Sequence, residues 1–151
     1  MRGDPKIPIA WYAVSDYLTA SLAWALFFFI RRGLLHQPVT TDGQLQTDSR
    51  FWMGIFLIPL GWLILYTVAG SYHSLYKKSR LFEFTSTFIC SLLGSTVLFF
   101  VLLIDDVQND YSYYYLAFLI LFGLHFLITF SGRWVILNTV KKQLHRGRVR
   151  F

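Results

Sequence analysis

The chain has 151 residues, of which 55% are hydrophobic, 19% aromatic and only 15% charged, with a mean hydropathy of +0.47. A soluble domain spreads about a quarter of its residues as charge over its surface; here the charges cluster and leave four apolar runs, each near the roughly 20 residues that cross a hydrocarbon core. That pattern excludes a soluble globule. The net charge of +6 then reads as topology and attraction to anionic headgroups, not as nucleic-acid binding. The single cysteine, Cys90, excludes an intrachain disulfide and a cysteine-based metal site and reads as a small packing residue.

A polar lead with Arg2 and Lys6, kept from helix by Pro5 and Pro8, precedes a first span over residues 9–30. This run is longer than a signal-peptide core and has no small-residue cleavage site, so it is expected to act as an uncleaved anchor. Trp11 and Tyr12 form an aromatic belt at its start, and Asp16 lies inside it. A polar loop from Leu34 to Arg50 leads to a charge-free second span over 51–70, where Pro59 and Gly61 predict a kink. In lipid, such a kink requires a neighbour to satisfy the carbonyl that proline frees.

Next comes a short basic loop, Gly70 to Arg80, with Lys77, Lys78 and Arg80 beside a lone acid, Glu83. The third span, 84–104, carries Ser91, Gly94 and Ser95 at a spacing that permits close helix approach. An acidic turn with Asp105, Asp106 and Asp110 precedes the fourth span, 111–133, which opens on Tyr113, Tyr114 and Tyr115 and is expected to run on as helix towards Leu144. The basic tail, 141–151, has Gly147 as a helix stop and then a strand-like alternation from Arg148 to Phe151, as if leading into a further cytosolic domain.

Short loops rich in Lys and Arg stay on the inner side of a membrane. The lead carries two cations, the basic loop three and the chain from Arg133 onward six, against three in the first loop and none in the acidic turn. The expectation is an all-α membrane protein whose four transmembrane helices form an antiparallel bundle, with both termini inside.

Buried charge is costly in a membrane and marks function or a structural staple. Asp16 lies seven residues past Ile9, roughly 10 Å from the inner face at 1.5 Å per residue. His125 of the fourth span, fourteen residues past Tyr111, comes to a similar depth from the other side, and Arg133 lies about two turns further, at the inner interface, so the sequence predicts an Asp16–His125 or Asp16–Arg133 contact. Lys77, Lys78 and Arg80 are topology cations that are also able to clamp a lipid phosphate. No glycine-rich phosphate loop, nucleophile elbow or metal-ligand spacing is present, so no catalytic, cofactor-binding or metal residue is assigned.

The motifs Trp11-Tyr12, Ser15-Asp16-Tyr17, Arg50-Phe51-Trp52, Gly70-x-Tyr72, Tyr76-Lys77-Lys78-Ser79-Arg80, Asp105-Asp106 with Tyr113-Tyr114-Tyr115, and Leu121-Phe122-Gly123-Leu124-His125-Phe126 together resemble one family. They are similar to the amino-terminal membrane region of bacterial polyprenyl glycosylphosphotransferases. The resemblance implies a parent enzyme of the bacterial inner membrane that loads undecaprenyl phosphate from a nucleotide sugar in exopolysaccharide biosynthesis. In that family, Mg serves a downstream cytosolic catalytic domain whose Asp-Glu pair has no counterpart here. This chain would then be the non-catalytic anchoring or oligomerisation domain. Its partners would be the bilayer, polyprenyl phosphate, the downstream domain and a second copy of itself. Two alternatives stand beside it: a self-contained four-span transporter using Asp16, and a lipid-binding accessory protein using the basic loop.

Overall fold

The computed structural model describes residues 8–73, 79–103 and 110–146. It contains four long helices: α1 (Ile9–Leu34), α2 (Ser49–Val68), α3 (Arg80–Leu98) and α4 (Tyr111–His145). All are long and apolar enough to cross a membrane. A π-helical turn, Phe99–Leu103, extends α3. A two-stranded antiparallel hairpin, β1 (Thr40–Thr41) and β2 (Gln44–Leu45), occupies the first loop. The chain is thus a four-span, multi-pass membrane protein.

The boundaries follow from local chemistry. Asp48 and Ser79 cap α2 and α3 by accepting the backbone N–H of Phe51 at 3.0 Å and of Phe82 at 3.1 Å. Asp110 does the same work ahead of α4, bonding Ser112 through both its N–H and its hydroxyl, and those bonds hold its carboxyl below the usual carboxylate range. The third helix starts at Arg80, not Phe84, because Ser79 supplies this cap; Glu83 is therefore helical. α1 outruns its expected span, reaching Leu34, while α4 runs on as helix past Arg133 to His145, as expected. The first loop is not featureless: Asp42 and Gly43, both at positive φ (53° and 76°), form the two-residue turn that right-twisted hairpins favour. Lys77, Lys78, Asp105, Asp106 and the strand-like tail Arg148 to Phe151 lie outside the described residues.

Buried positions recur at every fourth residue: Tyr12, Asp16, Ala20, Trp24 and Phe28 on α1; Glu83, Thr87, Ser91 and Ser95 on α3; Tyr113 through Leu137 on α4. Such rows are the i±4 ridges along which helices interlock. α1 sits at the centre, packed on both α2 and α4, while α3 packs mainly on α4. The outward faces carry Leu18, Leu22, Leu57 and Ile64, as a lipid-facing surface requires. Between α3 and α4 the rings of Phe118, Phe122, Phe126 and Phe130 stack in sequence at interplanar angles of 5–11°. Phe88 and Phe84 abut them edge-on.

The predicted kink residue Pro59 lies buried within α2. It removes the N–H that would bond the Ile55 carbonyl. The Ser21 hydroxyl of α1 donates to that carbonyl at 3.1 Å, and the Tyr17 hydroxyl donates to Phe56 O at 3.3 Å. Proline in the second helix is thus compensated by the Ser21 hydroxyl of the first. Ser21→Ala is expected to lower stability by about 0.6–2 kcal/mol, read by denaturant titration in mixed micelles. The same change in a Pro59→Ala background should cost nearly nothing, because the helix then satisfies its own carbonyl.

Candidate functional site

At the end of the bundle where α1 and α3 begin, Arg133 reaches from α4 into the interior and is fully buried. Its guanidinium holds Asp16 bidentately, Nε to Oδ1 at 2.9 Å and Nη2 to Oδ2 at 2.7 Å. Nη1 donates to Thr87 Oγ1 at 3.0 Å and to Glu83 Oε2 at 3.3 Å. Four of the five N–H donors are thereby used. Two aromatic rings also hold it, the guanidinium centre lying 4.1 Å from the Tyr66 ring centroid and 5.0 Å from that of Tyr12.

The surroundings complete the site. The Tyr12 hydroxyl donates to Glu83 Oε2, and the Tyr72 hydroxyl donates to Asp16 Oδ2 at 2.8 Å. Two carboxylates therefore face one guanidinium, and two phenols share the surplus acceptor capacity. Tyr72 arrives from the loop after α2. Gly70, at φ 76°, ends α2 with Gly70 N–H bonded to Thr67 O and Ser71 N–H to Tyr66 O, a turn that glycine closes without strain. The buried Ser71 then bonds Ser86 of α3 at 2.8 Å. The reversal lays Tyr72 edge-on against Tyr12 at 6.0 Å, closing the polar cluster from the loop side.

Of the two contacts expected for Asp16, the one with Arg133 forms and the one with His125 does not. His125 lies eight residues before Arg133, about 12 Å along the helix. Its Nε2 meets the Tyr66 hydroxyl at 2.8 Å while its ring stacks on Trp62 at 3.6 Å. Arg133 is not an interfacial cation but an interior one, so it drops out of the loop-charge count. The inner ends then carry ten cations against three, and the expected orientation is unaffected. Arg80 is the described member of the basic-loop trio. It bonds Asn138 Oδ1 at 3.0 Å and lies 4.4 Å over the Trp134 ring, fastening the start of α3 to the far end of α4.

Glu83 and Thr87 are the members that the sequence reading missed. The signal was present: Glu83, Thr87, Ser91 and Ser95 repeat every fourth residue, one polar stripe on a helix. Cys90 is buried, as its packing role requires. Asp16, Glu83 and Arg133 are each at most 1% exposed. No group of three His, Cys, Asp or Glu residues placed to hold a metal ion occurs among the described residues. The arrangement is an ionic lock joining three helices and a loop.

Burial, and then the charge of Asp16 and the bond donated to it, hold the Tyr72 phenol well above its ordinary value of about 10. Above that pH the unfolded chain releases this proton while the folded chain keeps it, so stability falls as pH rises. The alkaline decline in unfolding free energy above about pH 10 is expected to be shallower in Tyr72→Phe, measured by denaturant titration across pH 8–12 in one detergent. Comparison of the chain with protein-family models, curated proteins and solved structures returns no match.

Proposed function

We propose that this chain is a non-catalytic membrane-anchoring domain, with both ends inside, of an enzyme that transfers a sugar phosphate from a nucleotide sugar to undecaprenyl phosphate. One observation carries the choice of anchor over transporter: the charged residues of the bundle interior are spent on one another in a sealed cluster. A proton or cation carrier needs an intramembrane acid that water or substrate reaches, whereas Asp16 is 1% exposed and bonded on both oxygens. The resemblance adds support, because Tyr12, Asp16 and Tyr72, which stand within its motifs, converge on this cluster. The enzyme, its substrates and its bacterial inner membrane rest on that resemblance.

Reading the gene beyond the codon for Phe151 tests the proposal. An open frame entering a Rossmann-like and then a catalytic domain supports it, together with sugar-phosphate transfer by the longer product and none by residues 1–151. A stop codon there, with ion-coupled uptake by reconstituted chain that Asp16→Asn abolishes, sinks it in favour of the transporter. Thiol labelling of Gln44→Cys in a Cys90→Ser background, from outside only, reads the orientation.

A further inference from the structure

A hydroxyl on a membrane helix commonly bonds the carbonyl one turn back on its own helix, because lipid offers no other acceptor. Thr19, Thr67, Thr96, Ser131 and Thr139 all do so, donating to Ser15, Leu63, Leu92, Leu127 and Val135 at 2.7–3.1 Å. None of these five is fully buried. Three fully buried hydroxyls break the habit. Ser91 and Ser95 of α3 and Thr129 of α4 are 0% exposed, yet their oxygens reach no hydrogen-bond partner among the described residues. Such a group is expensive to leave unmade, and in native proteins it is most often answered by an internal water.

Two of the three stand beside the ionic lock. Thr129 lies one helical turn from both His125 and Arg133 on the buried row of α4. Ser91 lies one turn from Thr87, which accepts from Arg133 Nη1 at 3.0 Å. It also faces the Tyr66 hydroxyl without closing a bond to it. Tyr66 ties the two together: its hydroxyl meets His125 Nε2 at 2.8 Å and its ring lies 4.1 Å from the Arg133 guanidinium. Arg133 itself has one N–H to spare. Nε, both protons of Nη1 and one of Nη2 go to Asp16, Thr87 and Glu83, and the second Nη2 proton has no acceptor among the described residues. One unused donor and two unused hydroxyls thus gather around one tyrosine.

We propose that a single internal water sits between α3 and α4 beside Tyr66, accepting the spare Nη2–H of Arg133 and donating to Thr129 Oγ1 and Ser91 Oγ. Three partners are what a buried water typically holds. The water satisfies the fifth donor of the guanidinium and extends the lock from its carboxylates to the polar stripe of α3. Because Asp16, Glu83 and Arg133 are at most 1% exposed, it is a resident of the bundle and not part of a path through it. The site stands on these residues alone and is independent of the function proposed above.

Two measurements on the full chain in mixed micelles test it. With isotope-labelled arginine, a rotating-frame Overhauser cross-peak is expected between water and the Arg133 Nη protons, of the sign that proximity gives and exchange does not. In denaturant titration, Thr129→Val keeps the side-chain shape and removes the hydroxyl. It should lower the folding equilibrium constant about fivefold, the worth of one hydrogen bond, while Thr129→Ser stays near wild type. Ser91→Ala should cost a similar factor. The double variant should lose clearly less than the product of the two, since both hydroxyls hold one water. A Thr129→Val chain as stable as wild type, or more so, overturns the proposal, because removing a dry, unpartnered hydroxyl relieves a cost. Losses that multiply overturn it too, in favour of separate bonds such as a back-bond to the His125 carbonyl. Should Thr129→Val fail to fold, the wild-type cross-peak decides, and its absence overturns the proposal.

Discussion

Arg133→Met is expected to destabilise the bundle by about 3–5 kcal/mol, the cost of breaking a buried ion pair by removing one partner. Methionine fills similar space, so the loss comes from electrostatics. Asp16 forfeits its bidentate partner, and Thr87 and Glu83 forfeit Nη1. Arg133→Lys should recover only part of this, because a point ammonium cannot fork to one carboxylate while bonding Thr87 and Glu83. Adding Asp16→Asn and Glu83→Gln to Arg133→Met should restore stability by removing the stranded charges. Denaturant titration in mixed micelles measures all three variants. Raised salt should leave the wild-type value nearly unchanged, since a buried pair is little screened. A loss below about 1 kcal/mol for Arg133→Met would be that of a solvated surface pair and would contradict the sealed lock.

The second large effect concerns glycine and has opposite signs at two positions. Glycine to alanine within a helix ordinarily gains about 0.5–1 kcal/mol. At Gly123, where a new Cβ meets nothing within 4 Å, a gain of that order is expected. At Gly94 the same methyl would overlap the six-membered ring of Trp62. That ring cannot yield cheaply: it stacks 3.6 Å from His125, which bonds Tyr66 at 2.8 Å, whose own ring lies 4.1 Å from the Arg133 guanidinium. Gly94→Ala should therefore cost about 1–3 kcal/mol, the range for overpacking a tight interior. It should also shift the tryptophan fluorescence that Gly123→Ala leaves alone. Equal effects at the two glycines would mean that α3 does not approach Trp62 as closely as described.

Glycine at 94 links two levels of the molecule. Read along the chain, Ser91, Gly94 and Ser95 announce only that some helix comes close. Read in three dimensions, they admit Trp62, which stacks on His125. The depth arithmetic set Asp16 level with His125 and put Arg133 about two turns further in. Asp16 meets Arg133 instead, and His125, on the same buried row of α4 but about 12 Å along it, is out of the acid's reach. Glu83 was obscured for a different reason. In sequence it stands three residues from Arg80 at the edge of a basic loop. Only the Ser79 cap, by starting the helix there, turns it inward with Thr87. Tyr72 was out of reach because its position depends on the reversal at Gly70 folding the loop back over the cluster.

By itself, the sequence determined that the chain carries four helices long and apolar enough to cross a membrane, and it offered the buried Asp16 a partner in either His125 or Arg133. Each of these follows from the cost of placing polar groups in hydrocarbon, which is a property of local composition and depth. Only the tertiary structure decided which groups complete that pairing, that Ser21 answers Pro59, and that Arg31 and Arg50 line one cleft. Those outcomes depend on how each helix is rotated about its own axis, and rotation is set by side chains from elements distant in sequence packing against one another.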